Sequence, residues 1–228
     1  MAITASGYVY NWPVVLHSAP QLLAGLRATV EIAAMSMICA LVLGLLVALC
    51  RMSRVRLLSW AAFAYIQVFR ALSLFIYILW VYFGLAIVSG INLTPLAAAV
   101  VCLTLLYSAY MAEVYRAAIG AVDAGQREAS KSLNLGAIRT LTAVIVPQAF
   151  RIAIPPLTNC LVDIVKDSSI VGIIGTTELM YTTVQLVSND NHAFEFYTVT
   201  GAIYLAVVLC VVRGSSALER RLNRYLVI

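Results

Sequence analysis

Inside one apolar stretch of this chain, four polar residues recur at helical spacing: Asn159, Asp163, Lys166 and Asp167, separated by four, three and one. Those offsets place all four on one face of a helix. Ser168 and Ser169 follow, with Gly172 and Gly175 beyond them. A carboxylate on such a face can meet an ammonium group, and a lysine can meet a carboxylate. The face therefore has the chemistry to line a path for a charged or zwitterionic solute. It has equally the chemistry of a self-neutralising Asp–Lys–Asp cluster that locks helices together, and both readings stay open. Arg70, deep in another apolar run, is the second candidate. Its guanidinium suits either a solute carboxylate or an acidic residue of the first face. Arg27 with Glu31, and Glu113 with Arg116, sit one helical turn apart and read as ion pairs. His17 and His192 are isolated and carry no expected ligand or catalytic role.

The elements that must position these groups are set by composition. Of 228 residues, 63% are hydrophobic and only 11% charged. A water-soluble domain carries roughly 25% charged residues, so this apolar surplus needs lipid as its solvent. The net charge of +5 comes from short basic clusters between apolar runs, a pattern of membrane topology and not of a nucleic-acid-binding face. Cys39, Cys50, Cys102, Cys160 and Cys210 all lie in apolar stretches without metal-ligand spacing and read as small packing residues. No Lys or Arg precedes Arg27, so the basic region of a signal peptide is missing.

A membrane-spanning helix needs ~20 mostly apolar residues. Five stretches qualify: about Leu22 to Cys50, Leu57 to Val88, Pro95 to Ile119, Pro156 to Ile174 and Phe196 to Val212. The first two exceed a bilayer and are expected to tilt or extend past it. Arg51, Arg54 and Arg56 lie between spans one and two; Arg116, Arg127, Lys131, Arg139 and Arg151 surround the loop between three and four; Arg213, Arg220, Arg221 and Arg224 follow the fifth. Residues 1–21, 89–95 and 176–195 have no Lys or Arg. The positive-inside rule then puts the N-terminus outside and the C-terminus in the cytoplasm. The expected architecture is an all-α integral membrane protein: an external segment 1–21, a transmembrane domain 22–215 with an internal loop at about 120–147, and a cytoplasmic tail 216–228. Five spans cannot be two fused similar halves, so a symmetric pore needs a second copy or a related subunit.

The internal loop is too long for a tight turn. Gln126 to Leu133 suits a short helix, Gly125 permits a bend before it, and Ala129, Ser130 and Ser132 are small enough for another surface to approach. Asn134 can take the left-handed conformation that ends a helix, and Pro147 stops or starts the next segment. From these residues alone, an interfacial loop resting on lipid headgroups is an equal reading.

The spacing of Glu128, Ala129 and Pro147 resembles the Glu-Ala-Ala loop of ATP-binding-cassette importer permeases. Ser130 stands for its second Ala, Asn134 for its Gly, Val144 for its Ile and Val146 for its Leu. Gly125 and Gln126 before the loop, Pro147 to Arg151, Pro155 to Asn159 and Lys166 to Ile170 resemble the polar amino-acid uptake subfamily, over roughly residues 20–215. Phe69 and Arg70 match that subfamily too. Ala71, Leu72 and Ser73 replace its Gly-Thr-Pro, so no helix-breaking pair is written into the second span.

The resemblance implies a permease subunit of an importer for a polar amino acid or a derivative such as an opine or compatible solute, in the bacterial cytoplasmic membrane. It implies a coupling helix, formed by Gly125, Gln126, Glu128, Ala129, Ser130 and Asn134 with Pro147 beyond, docked on a cytoplasmic ATPase dimer. It implies a second permease subunit and an extracytoplasmic solute-binding protein, with ATP and Mg held by the ATPase and no cofactor in this chain. The sequence agrees in lacking a phosphate-binding Gly-rich loop of its own. The rival expectation is a proton-coupled secondary transporter working through Asp163 and Asp167. It leaves the internal loop unexplained, and such carriers usually contain paired repeats. A membrane-embedded enzyme is disfavoured because no HExxH, GxSxG or His-rich set occurs.

Overall fold

The computed structural model describes residues 10–223, with side chains described as far as Arg221. Every regular element among them is helical: α1 (Trp12–His17), α2 (Ala19–Arg51), α3 (Arg56–Ala71), α4 (Leu74–Leu79), a π-helical turn (Trp80–Gly84), α5 (Leu85–Ser89), α6 (Pro95–Gly120), α7 (Ala124–Ser132), α8 (Ala137–Thr140), a second π-helical turn (Leu141–Ile145), α9 (Val146–Asp167), a 3-10 helix (Ser168–Ile174), α10 (Leu179–Asp190) and α11 (Ala193–Asn223). Four helical stretches are long and apolar enough to cross a membrane, or five if α3 and the segment Leu74–Ser89 count as one broken span. Of the basic residues expected after the fifth span, Arg224 lies outside the described residues, as do residues 1–9 of the expected external segment.

Two expected spans differ in detail. The second is not one helix. Leu72 and Ser73 are extended, with ψ of 139° and 126°, and end α3 before α4 begins. No Gly or Pro causes this break. Tertiary packing does: Leu74, Tyr77 and Ile78 are buried and α4 packs on the Ser168–Ile174 turn. The fourth does not start at Pro156. Helical structure runs from Ala137 to Ile174, with Pro155 and Pro156 inside α9. Pro147 therefore sits in the first turn of α9 and not after a gap. Lacking an N–H, it cannot bond the carbonyl four residues back, and the π-helical turn just before it widens the helix there.

The described residues pack as two compact units, one from 10–37, 73–103 and 163–210, the other from 38–72, 104–162 and 211–223. In the first, Val15, Leu22, Leu179, Leu186 and Phe196 form a core. A Cβ at Gly25 would lie 2.8 Å from Thr182 Oγ1 and 3.0 Å from Leu179 Cα, so glycine is what lets α2 and α10 touch. In the second, Ala48, Ile66 and Ala112 form the core. A Cβ at Gly44 would lie 2.9 Å from Met111 Cβ, bringing α2 against α6 by the same device. Tyr65 Oη donates to the Leu105 carbonyl (3.0 Å) and lies 2.7 Å from Ser108 Oγ, tying α3 to α6. Large apolar side chains cover much of the outside, among them Leu57 (81% exposed) and Ile87 (84%), as a lipid-immersed surface requires.

Candidate functional site: a polar helix face, an arginine cleft and an exposed loop helix

On α9 the polar residues and the buried residues fall on opposite sides. Leu157, Cys160, Ile164 and Val165 are buried, whereas Asn159 and Lys166 are exposed and Asp163 and Asp167 half-buried. Asp163 Oδ1 lies 2.6 Å from Lys166 Nζ, and the two side chains stay 50% and 57% exposed. Such an exposed pair does little to hold a fold together. It leaves charged groups exposed on a helical stretch long and apolar enough to cross a membrane, where contact with hydrocarbon is costly. The serines lie in the 3-10 turn and differ from this face. Ser168 is fully buried and donates to the Val165 carbonyl, while Ser169 donates to the Lys166 carbonyl (both 2.7 Å).

Arg70, at the end of α3, is exposed and lays its guanidinium 5.2 Å from the centre of the Tyr110 ring. Both line a cleft of about 450 Å3, with Glu113, Val114, Ala117, Ala118, Ala121, Ile152, Pro156 and Cys160 around it. Glu113 accepts three bonds from Arg116, the shortest 2.6 Å, so that expected ion pair is formed; so is Arg27–Glu31 at 2.7 Å. Sequence reading had not joined Tyr110 and Glu113 to Arg70. Their i, i+3 spacing on α6 was visible, but the approach of α3 that completes the cleft was not.

The loop helix α7 is capped at both ends. Asp123 accepts from the Gly125 N–H (2.7 Å). At the other end Asn134 takes φ 53°, and the Leu135 N–H reaches back to the Ser130 carbonyl (2.9 Å), a Schellman-type stop. Asn134 thus does what the family's Gly would do. Ser130 is the buried residue of the helix, its hydroxyl bonded to the Gln126 carbonyl (2.7 Å), and Gln126 meets Gln148 (3.4 Å). Gly125, Glu128 and Ala129 are exposed, as are Leu133 (74%), Ile138 (80%) and Pro147.

The segment 176–195, which has no Lys or Arg but three acidic residues, Glu178, Asp190 and Glu195, holds α10 and buries Glu178 and Glu195. Glu178 is fully buried and caps α10, accepting from the N–H groups of Met180 (2.7 Å) and Tyr181 (2.6 Å) and from Tyr204 Oη (2.9 Å). Burial pushes its carboxyl above the usual range, against the pull of those donors. Glu195 is also fully buried and accepts from the Asn11 N–H (2.7 Å), with His192 Nδ1 3.7 Å away.

The pattern of these elements agrees with a family match. Residues 40–224 match the model of the binding-protein-dependent transport system inner membrane component. The chain belongs to that family. Two curated Bacillus subtilis relatives extend the likeness to nearly the whole length. The probable amino-acid ABC transporter permease protein YckA is 34% identical over 96% of this chain and 96% of its own. The arginine transport system permease protein ArtQ is 36% identical over 90% and 93%. A chain from the crystal structure of an amino acid ABC transporter with histidines superposes with a TM-score of 0.89 at 32% identity, covering 94% of this chain and all of that one. A chain of the MetNI methionine ABC transporter shares the fold, with a TM-score of 0.75 at 19% identity. As an inner membrane component of this family, the protein is a transport subunit and not an enzyme; ATP hydrolysis belongs to a separate ATPase subunit. This sets aside the proton-coupled carrier weighed from the sequence.

Proposed function

We propose that this permease subunit imports a polar amino acid or an amino-acid derivative, driven by ATP bound with Mg on a dimer of partner ATPases. The observation that carries this reading is the near full-length likeness to permeases named for amino-acid transport. Two permease subunits, identical or related, form the path, and an extracytoplasmic solute-binding protein delivers the substrate. The N-terminus lies outside and the C-terminal tail, from about residue 216, inside. The external segment is 1–21 and the transmembrane domain 22–215.

The α7 segment acts as the coupling helix. A nine-residue helix capped at both ends, with Ser130 buried and most other side chains exposed, offers a defined surface to a partner that can push on it. Glu128 and Ala129 face the ATPase, Gly125, Gln126, Ser130 and Asn134 keep the helix in place, and Pro147 fixes the start of α9. Closure of the ATPases around ATP moves α7 and switches the spans between inward- and outward-open states. Arg70, Asn159, Asp163, Lys166, Asp167, Ser168 and Ser169 border the substrate path. The exposed charged face of α9 supports this for its members, since a second subunit or a water-filled path covers it at lower cost than lipid.

The test is uptake into vesicles holding the purified complex, with the cognate binding protein outside, ATP trapped inside and the proton gradient collapsed. Uptake of at least one amino acid or derivative is expected to persist. Uptake that needs the gradient and ignores ATP would sink the reading.

A further inference from the structure

The lining of the cleft around Arg70 divides into a few charged groups and an apolar remainder. Among the former are the guanidinium of Arg70, over the Tyr110 ring, and the carboxylate of Glu113. Ile152 and Pro156 both line the cleft, four residues apart in α9. Pro156 has no N–H, so the Ile152 carbonyl is deprived of its usual helical donor and keeps its accepting capacity. The cleft thus brings a cation and a carboxylate together beside a helix turn that Pro156 leaves one hydrogen bond short, the complement of an α-carboxylate and an α-ammonium. The rest of the lining is Val114, Ala117, Ala118, Ala121 and Cys160, which offers no charged group. Glu113 is the one carboxylate of the lining and is already shared with Arg116, so once it meets the α-ammonium no charge is left for a cationic side chain. A second carboxylate or a guanidinium on the substrate would be desolvated among alanines without a partner. The volume of about 450 Å3 is of the size that small-molecule pockets occupy.

We propose that the Arg70 cleft is a zwitterion site with an apolar side-chain compartment, and that the permease therefore selects neutral α-amino acids over cationic and anionic ones. This rests on the amino-acid importer reading above and narrows it. Arg70 takes the carboxylate, Glu113 and the Ile152 carbonyl take the ammonium, and the Ala117–Ala121 wall takes the side chain.

The experiment is equilibrium binding of radiolabelled leucine, methionine, glutamine, arginine, lysine and glutamate to the purified complex with its ATPase and without the binding protein. At least one neutral amino acid is expected to bind ~10-fold or more tightly than any charged one. Arg70→Gln should weaken that binding ~10-fold or more, with Arg70→Lys between the two. Ala117 is exposed, so Ala117→Leu leaves folding intact and should weaken the binding of leucine and methionine. Tighter binding of arginine, lysine or glutamate, an unchanged affinity in Arg70→Gln, or no binding of any of the six overturns the cleft. Parallel ATP-driven uptake with the binding protein separates the two levels. Uptake that persists while the cleft fails leaves the importer reading standing, whereas absent uptake removes both.

Discussion

Two acidic residues teach opposite lessons. Glu178 is buried and fully occupied, capping α10 and accepting from Tyr204 on α11. Glu128, on a helix capped by other residues, is exposed with nearly all of its neighbours. The first carboxylate completes the chain's own packing. The second contributes little to the fold and is available to something else. Buried polar groups that are satisfied internally specify one structure, while a stable helix that presents polar and apolar side chains outward is a surface awaiting a partner.

That contrast is sharpest in a charge reversal. Glu128→Lys is expected to cut ATP-coupled uptake by about two orders of magnitude, because like charges at a docked interface cost several kcal/mol. Thermal stability of the purified permease should shift by less than about 0.5 kcal/mol, as for other exposed positions. Wild-type uptake in this variant would remove Glu128 from the interface.

Glu178→Ala should do the reverse at the level of stability. It leaves two buried N–H groups and a phenol without their acceptor, a loss of about 3 kcal/mol, read as a lower unfolding midpoint with the ATPase contact intact. The same carboxyl gives a pH signature. Its folded pKa is raised by burial, so the folded state binds the proton more readily than the unfolded one. Its contribution is full below the unfolded carboxylate value of roughly 4.3 and is lost as pH rises through the raised folded value. Glu178→Gln should flatten that decline in a series of unfolding curves; an unchanged slope would mean that other groups set it.

The smallest effect belongs to Asn134. Asn134→Gly should keep or slightly raise stability, and Asn134→Ala should lower it by about 1 kcal/mol, because φ is positive there. Coupling should follow the helix: a frayed α7 loses uptake in proportion, and equal uptake in both variants would show that its C-terminal stop is not needed.

Much of the fold was legible because lipid imposes simple rules. Apolar runs of sufficient length gave the first and third spans to within three residues, against α2 and α6, and placed the fifth within α11, which continues past the expected Val212 to Asn223. The loop helix and its left-handed end at Asn134 were legible because capping is local chemistry. The break at Leu72–Ser73 was not, since no residue there breaks a helix by itself. Nor was the early start of α9, because Pro147 and Pro155–Pro156 look like stops until a π-helical turn and the helix itself absorb them.

What the amino-acid sequence determined is therefore whatever depends on neighbours along the chain: the membrane solvent, the helical class, the short capped helix of the internal loop and the one-sided polar face of α9. What only the tertiary structure decided depends on residues distant in sequence. Nothing in the local sequence marks Glu178 and Glu195 as buried; Tyr204 and Asn11 are brought to them by the fold. Arg70 became part of a cleft only when α3, α6 and α9 converged on it. Burial and partnership are properties of surfaces in contact, and one-dimensional spacing does not specify which surfaces meet.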